Sequence, residues 1–230
     1  MAYFDEGFYV GGSVGWNSMH ETSDATYSLK LEPTPTLDAF SYNDHYDGAD
    51  ISLFSGYITC PCGEDHFFRV IPEIFLQAGR IRHTTDFIVD GTHYKDRISM
   101  PWAFGGKIKI GAVFGFDEAC KPHSFLKHFI GNQRQWMIYG LAGASVSPIE
   151  WQRQNEGFPL AEEKKKAIGL IFGLGIEREL NNHHRIGIEV THTRYEKQNF
   201  TSEDVDEISY HTYNAKISII SLNIRYTFPF

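Results

Sequence analysis

The sequence predicts an all-β chain: an eight-stranded antiparallel up-and-down barrel that crosses a membrane, with long loops at one end. Three observations carry that reading. Stretch after stretch alternates apolar with polar side chains, the period of a β-strand with two unlike faces. The connections between stretches are short at one end and long at the other. The less apolar face is rich in glycine and small residues instead of being uniformly charged.

The elements follow in order. In GFYVGGSVGWN, Phe8, Val10, Gly12, Val14 and Trp16 alternate with Tyr9, Gly11, Ser13, Gly15 and Asn17. ADISLFSGYIT sets Ile51, Leu53 and Tyr57 on one face. FRVIPEIFLQAGRIR is less regular, with Val70, Pro72, Ile74, Leu76 and Ala78 against Arg69, Glu73, Gln77 and Gly79. PWAFGGKIKIGAVFGF opposes Trp102, Phe104, Ile108 and Ile110 to Ala103, Gly105, Lys107 and Lys109. QWMIYGLAGASV, AIGLIFGLGIERE and RIGIEVTHTRY repeat the rhythm, and KISIISLNIRYTFPF makes eight.

In that last stretch the phase inverts. Ile217 and Ile219 are apolar on odd numbers, whereas Ile220, Leu222, Ile224 and Tyr226 are apolar on even ones. Two readings stand: the strand leaves the membrane above Ile220, or a β-bulge near Ile219 resets the pleat. The connections 19–48, 82–99, 147–166 and 197–211 read as long and polar, 59–66 and 181–184 as short, and 117–134 as long where a short one is expected. A single domain over residues 1–230 accounts for all of them.

A soluble lipocalin-like barrel alternates too, so composition decides. A water-facing polar face would carry Lys, Glu and Thr nearly everywhere. Glycine weakens an exposed strand but suits the crowded interior of a small barrel. The Ile, Leu, Val, Phe and Trp face then meets lipid. Trp16, Trp102, Trp136, Tyr226, Phe228 and Phe230 fall near strand ends, where aromatic girdles lie.

Charge and motifs exclude other classes. A net charge of -8 offers no basic footprint for nucleic acid. No run approaches the roughly 20 apolar residues of a spanning helix. MAYFDEGFYV has neither a basic region nor an apolar core of a signal, so the expectation is a mature chain from which the signal has been removed, with a cytoplasmic protein as the bland alternative. CPCGEDH has no second Cys/His pair at zinc spacing, so neither a metal nor a cofactor is expected. No nucleophile elbow, phosphate loop or carboxylate pair stands out, and no catalytic residue is expected.

Inward charges in an eight-stranded barrel must pair, because an unpartnered buried ion is strongly destabilising. Counting from the short-turn end brings Glu189 level with Arg225 on adjacent strands, and Glu73 level with Lys109; Lys107 and Glu177 are further members. These six predict a polar plug. The bland alternative for any one of them is a charge reaching water at a mouth of the barrel.

GFYVGGSVGW near the start and LNIRYTF near the end resemble the small outer-membrane proteins of Gram-negative bacteria, the OmpA-like transmembrane and opacity-type surface antigen superfamily. The resemblance implies an outer-membrane location, contact with outer-membrane lipid and lipopolysaccharide, and a final strand read by the barrel-assembly machinery through Tyr226, Phe228 and Phe230. Here the chain continues to Pro229 and Phe230 after a natural-looking stop at Phe228. It further implies a surface protein of structural or adhesive type whose long loops meet host or other extracellular molecules; a narrow gated pore and a lipid-modifying barrel enzyme are the alternatives. VTHTRYE bears a faint similarity to the His-x-Ser pairing of lipid A deacylases, but Arg194 stands two after His192 and Thr193 lies on the other face. His192 and Arg194 instead suit lipopolysaccharide phosphate at the outer interface. With this topology all three cysteines fall at the periplasmic end, an oxidising compartment. A bridge from Cys62 or Cys60 to Cys120 and three free thiols both stand.

Overall fold

The computed structural model describes residues 6–29, 38–59, 68–89, 92–115, 135–155, 158–180, 184–203 and 209–229. Cys60, Cys62, Cys120, Phe230 and the 117–134 connection lie outside them. The strands are β1 (Gly7–Leu29), β2 (Asp38–Ile58), β3 (Phe68–Val89), β4 (Thr92–Gly115), β5 (Gln135–Asn155), β6 (Phe158–Glu179), β7 (Arg185–Tyr195), β8 (Gln198–Glu203) and β9 (Ser209–Pro229). Neighbours pair antiparallel, and β9 returns to β1 in an unbroken register from Tyr9 opposite Pro229 to Leu29 opposite Ser209. The sheet is therefore a closed ring.

Nine segments make eight strands. β7 and β8 both pair with β9, Arg194 opposite Ser218 and Gln198 opposite Ala215, one residue out of step. Glu196 and Lys197 both face outward at the join. This is a β-bulge that divides one strand in two.

Around the lower part of the ring the alternation places large apolar side chains outward. Leu53 and Leu174 are 69% exposed and Phe8 66%, and Ile74, Phe104, Ile108, Phe172, Ile188, Leu222 and Ile224 continue the belt. Water would not tolerate a contiguous apolar surface of this extent. Hydrocarbon does, and it requires the closed ladder that satisfies every backbone group. Trp16 and Trp102 face outward at the upper edge of the belt, Tyr226 and Phe228 at the lower edge. Also at the lower edge, the Arg178 guanidinium lies 5.2 Å from the Trp136 ring.

The strands continue far above the belt. Most of 19–48, 82–99, 147–166 and 197–211, read from sequence as long loops, is strand; the residues between strands narrow to 30–37, 90–91, 156–157 and 204–208. Two ladders stop at the belt. β2–β3 pairing ends with Asp50 opposite Gly79, and β6–β7 pairing ends with Gly169 opposite Tyr195. The other ladders run on, to Tyr27 opposite Asp38, Val89 opposite Thr92 and Asn155 opposite Phe158. Above the membrane the ring thus opens along two seams into facing four-stranded sheets, β3-β4-β5-β6 and β2-β1-β9-β8.

These two sheets pack like a sandwich. Ile81, Ile98, Met100, Ile149, Trp151 and Ala167 of one meet Met19, Phe200, Tyr213, Ala215, Ile217 and Ile219 of the other. This settles the inverted phase in β9. Odd residues face inward without interruption from Tyr213 to Thr227, and the β1–β9 register has no shift near Ile219. The pleat does not change; the solvent outside it does.

Prolines mark local breaks. Pro72 has no N–H to donate, and the β2–β3 ladder is interrupted there between Gly56 opposite Glu73 and a lone Thr59–Val70 bridge. Pro101 and Trp102 both face outward where the β4–β5 register slips between Ser99 and Phe104.

Candidate functional site

Within the membrane belt the inward faces of five strands converge on one ion cluster. Glu73 on β3 stands opposite Lys107 on β4, with Oε1 3.2 Å from Lys107 Nζ. Its Oε2 lies 2.9 Å from Lys109 Nζ and 2.5 Å from Arg225 Nη2. Glu189 on β7 meets Lys107 at 2.5 Å, Arg225 at 3.1 Å and Lys109 at 3.5 Å. Glu177 on β6 meets Lys109 at 3.3 Å and Arg225 at 3.6 Å. The structure therefore brings together all six residues singled out from the sequence, each at least 92% buried. Arg225 stands directly opposite Gly187, so it reaches Glu189 diagonally.

Three further members had escaped the sequence reading. Tyr9 donates a hydrogen bond to Glu73 at 2.7 Å, Tyr139 donates one to Glu189 at 3.0 Å, and Arg185 approaches Glu177 at 3.4 Å. Parity had put Tyr9 on the inner face without assigning it a partner, and Tyr139 has the inward phase of QWMIYGLAGASV. Arg185 follows the NNHH turn directly, where a short turn gives no alternation to read.

Aromatic rings line the ions. The Arg225 guanidinium lies 3.8 Å from the centre of the Phe54 ring, Lys109 Nζ 4.7 Å from Tyr139 and Arg185 4.6 Å from Tyr9. Stacking of cations on ring faces recovers part of the hydration these ions have lost. Inward glycines make the room. A Cβ at Gly11 would lie 2.4 Å from the Phe54 ring, and one at Gly175 2.3 Å from the Tyr139 ring. The glycine-rich inner face exists so that aromatics and ions from the opposing strands can fill the lumen.

Above the ions lies a neutral polar layer. The Ser13 and Ser52 hydroxyls share a hydrogen bond of 2.6 Å. A cavity of about 40 Å³ touches Ser52, Thr191, Asn223 and Arg225, and one of about 30 Å³ touches Asn17, Ser147 and Tyr195. Both share Gln77, Thr193 and Ser221 as walls and are large enough for water; the lower one also touches Lys107 and Glu189 of the ion cluster, the upper one Ile81, Met100 and Ile219 of the core above.

The sandwich core sits above that layer, outside the membrane. Trp151 stacks on Tyr213 at 6.0 Å and on Phe200 at 5.8 Å across the gap between sheets. Arg153 holds Asp96 through two hydrogen bonds of 2.7 and 2.6 Å and lies 5.2 Å from the Trp151 ring. Tyr213 donates to Glu21. Burial pushes the Glu21 carboxyl up to about 7, against the pull of that hydrogen bond and with reinforcement from Asp44 and Asp96. Burial likewise raises Asp96 despite Arg153.

The remaining sequence candidates are dispersed. Tyr226 and Phe228 face outward on β9, their ring centres 4.8 Å apart, and His184 Nδ1 is 2.9 Å from the Tyr226 hydroxyl. His192 and Arg194 face outward on β7 while Thr193 faces inward. No group of three or more metal-ligating side chains gathers among the described residues.

No family model matches the chain, and no curated protein sequence matches it. Solved structures do. The attachment invasion locus protein Ail of Yersinia pestis, solved with the heparin analogue sucrose octasulfate, is 12% identical over 96% of this chain and 99% of its own, with a TM-score of 0.38. The outer membrane protein OprG of Pseudomonas aeruginosa is 9% identical over 97% of each chain, with a TM-score of 0.49. Neisserial surface protein A is 12% identical over 91% of this chain and 95% of its own, with a TM-score of 0.28. By name, OprG is an outer-membrane protein and the Neisserial protein a surface protein. The closed ring, the apolar belt and the polar lumen of this chain are the features of a small outer-membrane β-barrel.

Proposed function

We propose that the chain is a non-conducting surface protein of structural or adhesive type, in which the barrel is an anchor and the outward sandwich is the displayed part. One observation carries this reading: two unlike layers lie in series along the axis, the ion cluster in the membrane and the apolar core above it. An ion would have to breach both. The outward ends of the strands form a packed sandwich instead of free loops, which suits presentation of a fixed surface to other cells or host molecules. The same reading gives Tyr226 and Phe228 to the assembly machinery, as outward marks on the closing strand.

Single-channel recording in planar bilayers tests it. The wild-type protein is expected to give no steps above baseline. Glu189→Ala alone is also expected to stay silent, because the apolar core remains in series with the damaged ion cluster. Sustained wild-type conductance would favour the narrow gated pore. For adhesion, a non-adherent bacterial strain displaying the chain should retain more host cells than the same strain without it; equal retention leaves only the structural role.

A further inference from the structure

Above the lipid belt the outward face of β1 and β2 carries two histidines side by side. His20 on β1 stands directly opposite His45 on β2, in a register that runs unbroken from Gly7 opposite Ile58 to Tyr27 opposite Asp38. Their ring centres are 4.5 Å apart and the ring planes are tilted by 38°. His20 is half-buried and His45 is exposed. The pair lies beyond Trp16, about 13 Å along the strand from the upper edge of the belt, so it faces water. Both histidines fall in the 19–48 stretch that reads from sequence as a loop, and only the pairing of β1 with β2 brings them together.

Two features mark the pair as more than a ring contact. His20 Nδ1 is shielded from solvent and has no hydrogen-bond partner among the described residues. A shielded ring nitrogen with nothing to bond is costly, and a bound ion or water is what such a group calls for. The second feature is spacing. Two imidazole nitrogens on one tetrahedral ion stand about 3.3 Å apart, since each lies about 2.0–2.1 Å from the metal. Rings centred 4.5 Å apart on directly opposed strand positions reach that spacing by turning about their side-chain bonds. The local charge also favours a cation. Asp47, two residues below His45, and Asp24, four above His20, are exposed on the same outward face. Lys216, opposite Thr22 on β9, opposes them with a single positive charge.

We infer that His20 and His45 form a two-histidine binding site for a divalent transition-metal ion of the zinc or copper class, outside the membrane on the β1–β2 face. Imidazole nitrogen selects that class over calcium and magnesium, which take oxygen. Ser18 and Thr22 on β1 and Ser218 across on β9 flank His20 with short polar side chains, so the approach from solvent is open. Two protein ligands leave the remaining positions of the ion to water or to a donor brought from outside. Spacing along the chain, which argues against zinc at CPCGEDH, is silent on a site assembled across two strands. The site rests on the β1–β2 register and on neither the adhesive nor the non-conducting reading.

The test uses the full chain without a histidine tag, folded in detergent micelles, stripped with chelator, its cysteines alkylated, and titrated with zinc chloride by calorimetry. Wild type is expected to bind zinc with a roughly micromolar Kd. His20→Ala and His45→Ala are each expected to weaken that binding by about a hundredfold or more, since even an outer partner of a metal ligand can be worth that much. His93→Ala removes an exposed histidine elsewhere above the membrane and is expected to bind as wild type does. Copper loading gives a second readout. Electron paramagnetic resonance should show two coordinating imidazole nitrogens in wild type and a single one in His45→Ala. Should His20→Ala disturb β1, the exposed His45 still reads the same site. Zinc bound equally by wild type and both histidine variants overturns the site, as does a wild type that binds no zinc at millimolar concentration. Either result leaves the fold and the surface-protein reading intact.

Discussion

The lower and upper halves of this barrel are built by the same strands with the same pleat, yet they are chemical inversions of one another. Below, Ile220, Leu222 and Ile224 of β9 face out and Ser221, Asn223 and Arg225 face in. Above, Lys216 and Ser218 face out and Ile217 and Ile219 face in. What changes is the medium, and the protein answers by exchanging which face is greasy. The topology changes with it. In hydrocarbon an unpaired strand edge is too costly to keep, so the ring is closed there. In water, edge groups find solvent or side chains, and the ring relaxes into two sheets whose apolar faces meet. At the β6–β8 seam the bridging is done by side chains: Lys165 Nζ donates to the Asn199 carbonyl, and the Thr201 N–H to Glu163 at 3.2 Å. The lesson is that lumen chemistry follows surroundings: ions where the outside is lipid, a hydrophobic core where the outside is water.

The sharpest way to break this comparison is to damage each half separately. Arg225→Met removes the guanidinium that Glu73, Glu177 and Glu189 share in the lower lumen and leaves them two lysines and Arg185, and a loss of about 3–5 kcal/mol is expected for breaking such a buried network. Trp151→Ala removes the centre of the upper core at a cost of about the same size. If the halves are distinct, urea titration in lipid vesicles should lower the midpoint of the whole barrel for Arg225→Met. For Trp151→Ala, hydrogen exchange should rise in 209–219 while 220–228 stays protected. Uniform loss of protection in both variants would merge the two halves into one unit.

A smaller effect uses pH and belongs to the upper half alone. Glu21 has its carboxyl raised from 4.5 to about 7, so the folded state holds its proton more tightly than the unfolded chain does. Stability contributed by that proton is full below the unfolded value and is lost as pH rises through about 7. The sandwich should therefore weaken by roughly 3 kcal/mol between pH 4.5 and 7.5, and Glu21→Gln should abolish the slope. The readout is exchange protection of residues 19–24 against pH; a slope that survives the substitution would locate the proton elsewhere.

The smallest effect compares the two outer faces. Leu222→Lys puts a charge on the lipid face and should cost about 2 kcal/mol, while Thr22→Lys, outward above the membrane, should change stability by less than about 0.5 kcal/mol. The same folding titration measures both. Equal costs would mean that the membrane boundary has been placed wrongly.

How far the sequence could be read follows the same division. In the lower half, parity alone put Glu73, Lys107, Lys109, Glu177, Glu189 and Arg225 on the inner face, because outward Ile and Phe make the contrast between faces unmistakable. Depth was counted from turns and was good to a residue or two: Glu73 was matched to Lys109, whereas its directly opposed partner is Lys107. In the upper half, both faces carry polar residues. Met19 is followed inward by Glu21 and Ser23, which breaks the apolar run, and strand was read as loop. The tyrosines joined to the ion cluster were visible only as inner-face residues, since their partners are 64 and 50 positions away. The bulge at Glu196 and Lys197 leaves no mark in composition at all.

The unbroken register between β1 and β9 bears on how the chain reaches this state. Val10 cannot find Phe228 until nearly the whole chain lies between them, so closure is a contact of extreme sequence separation. Contacts of this kind form late and slowly, and until they form β1 and the growing end of the sheet present bare edges that invite aggregation. The slow step of folding is therefore expected to be the closing of β9 on β1, and a catalyst of that step would act by holding one edge while β9 arrives at the other.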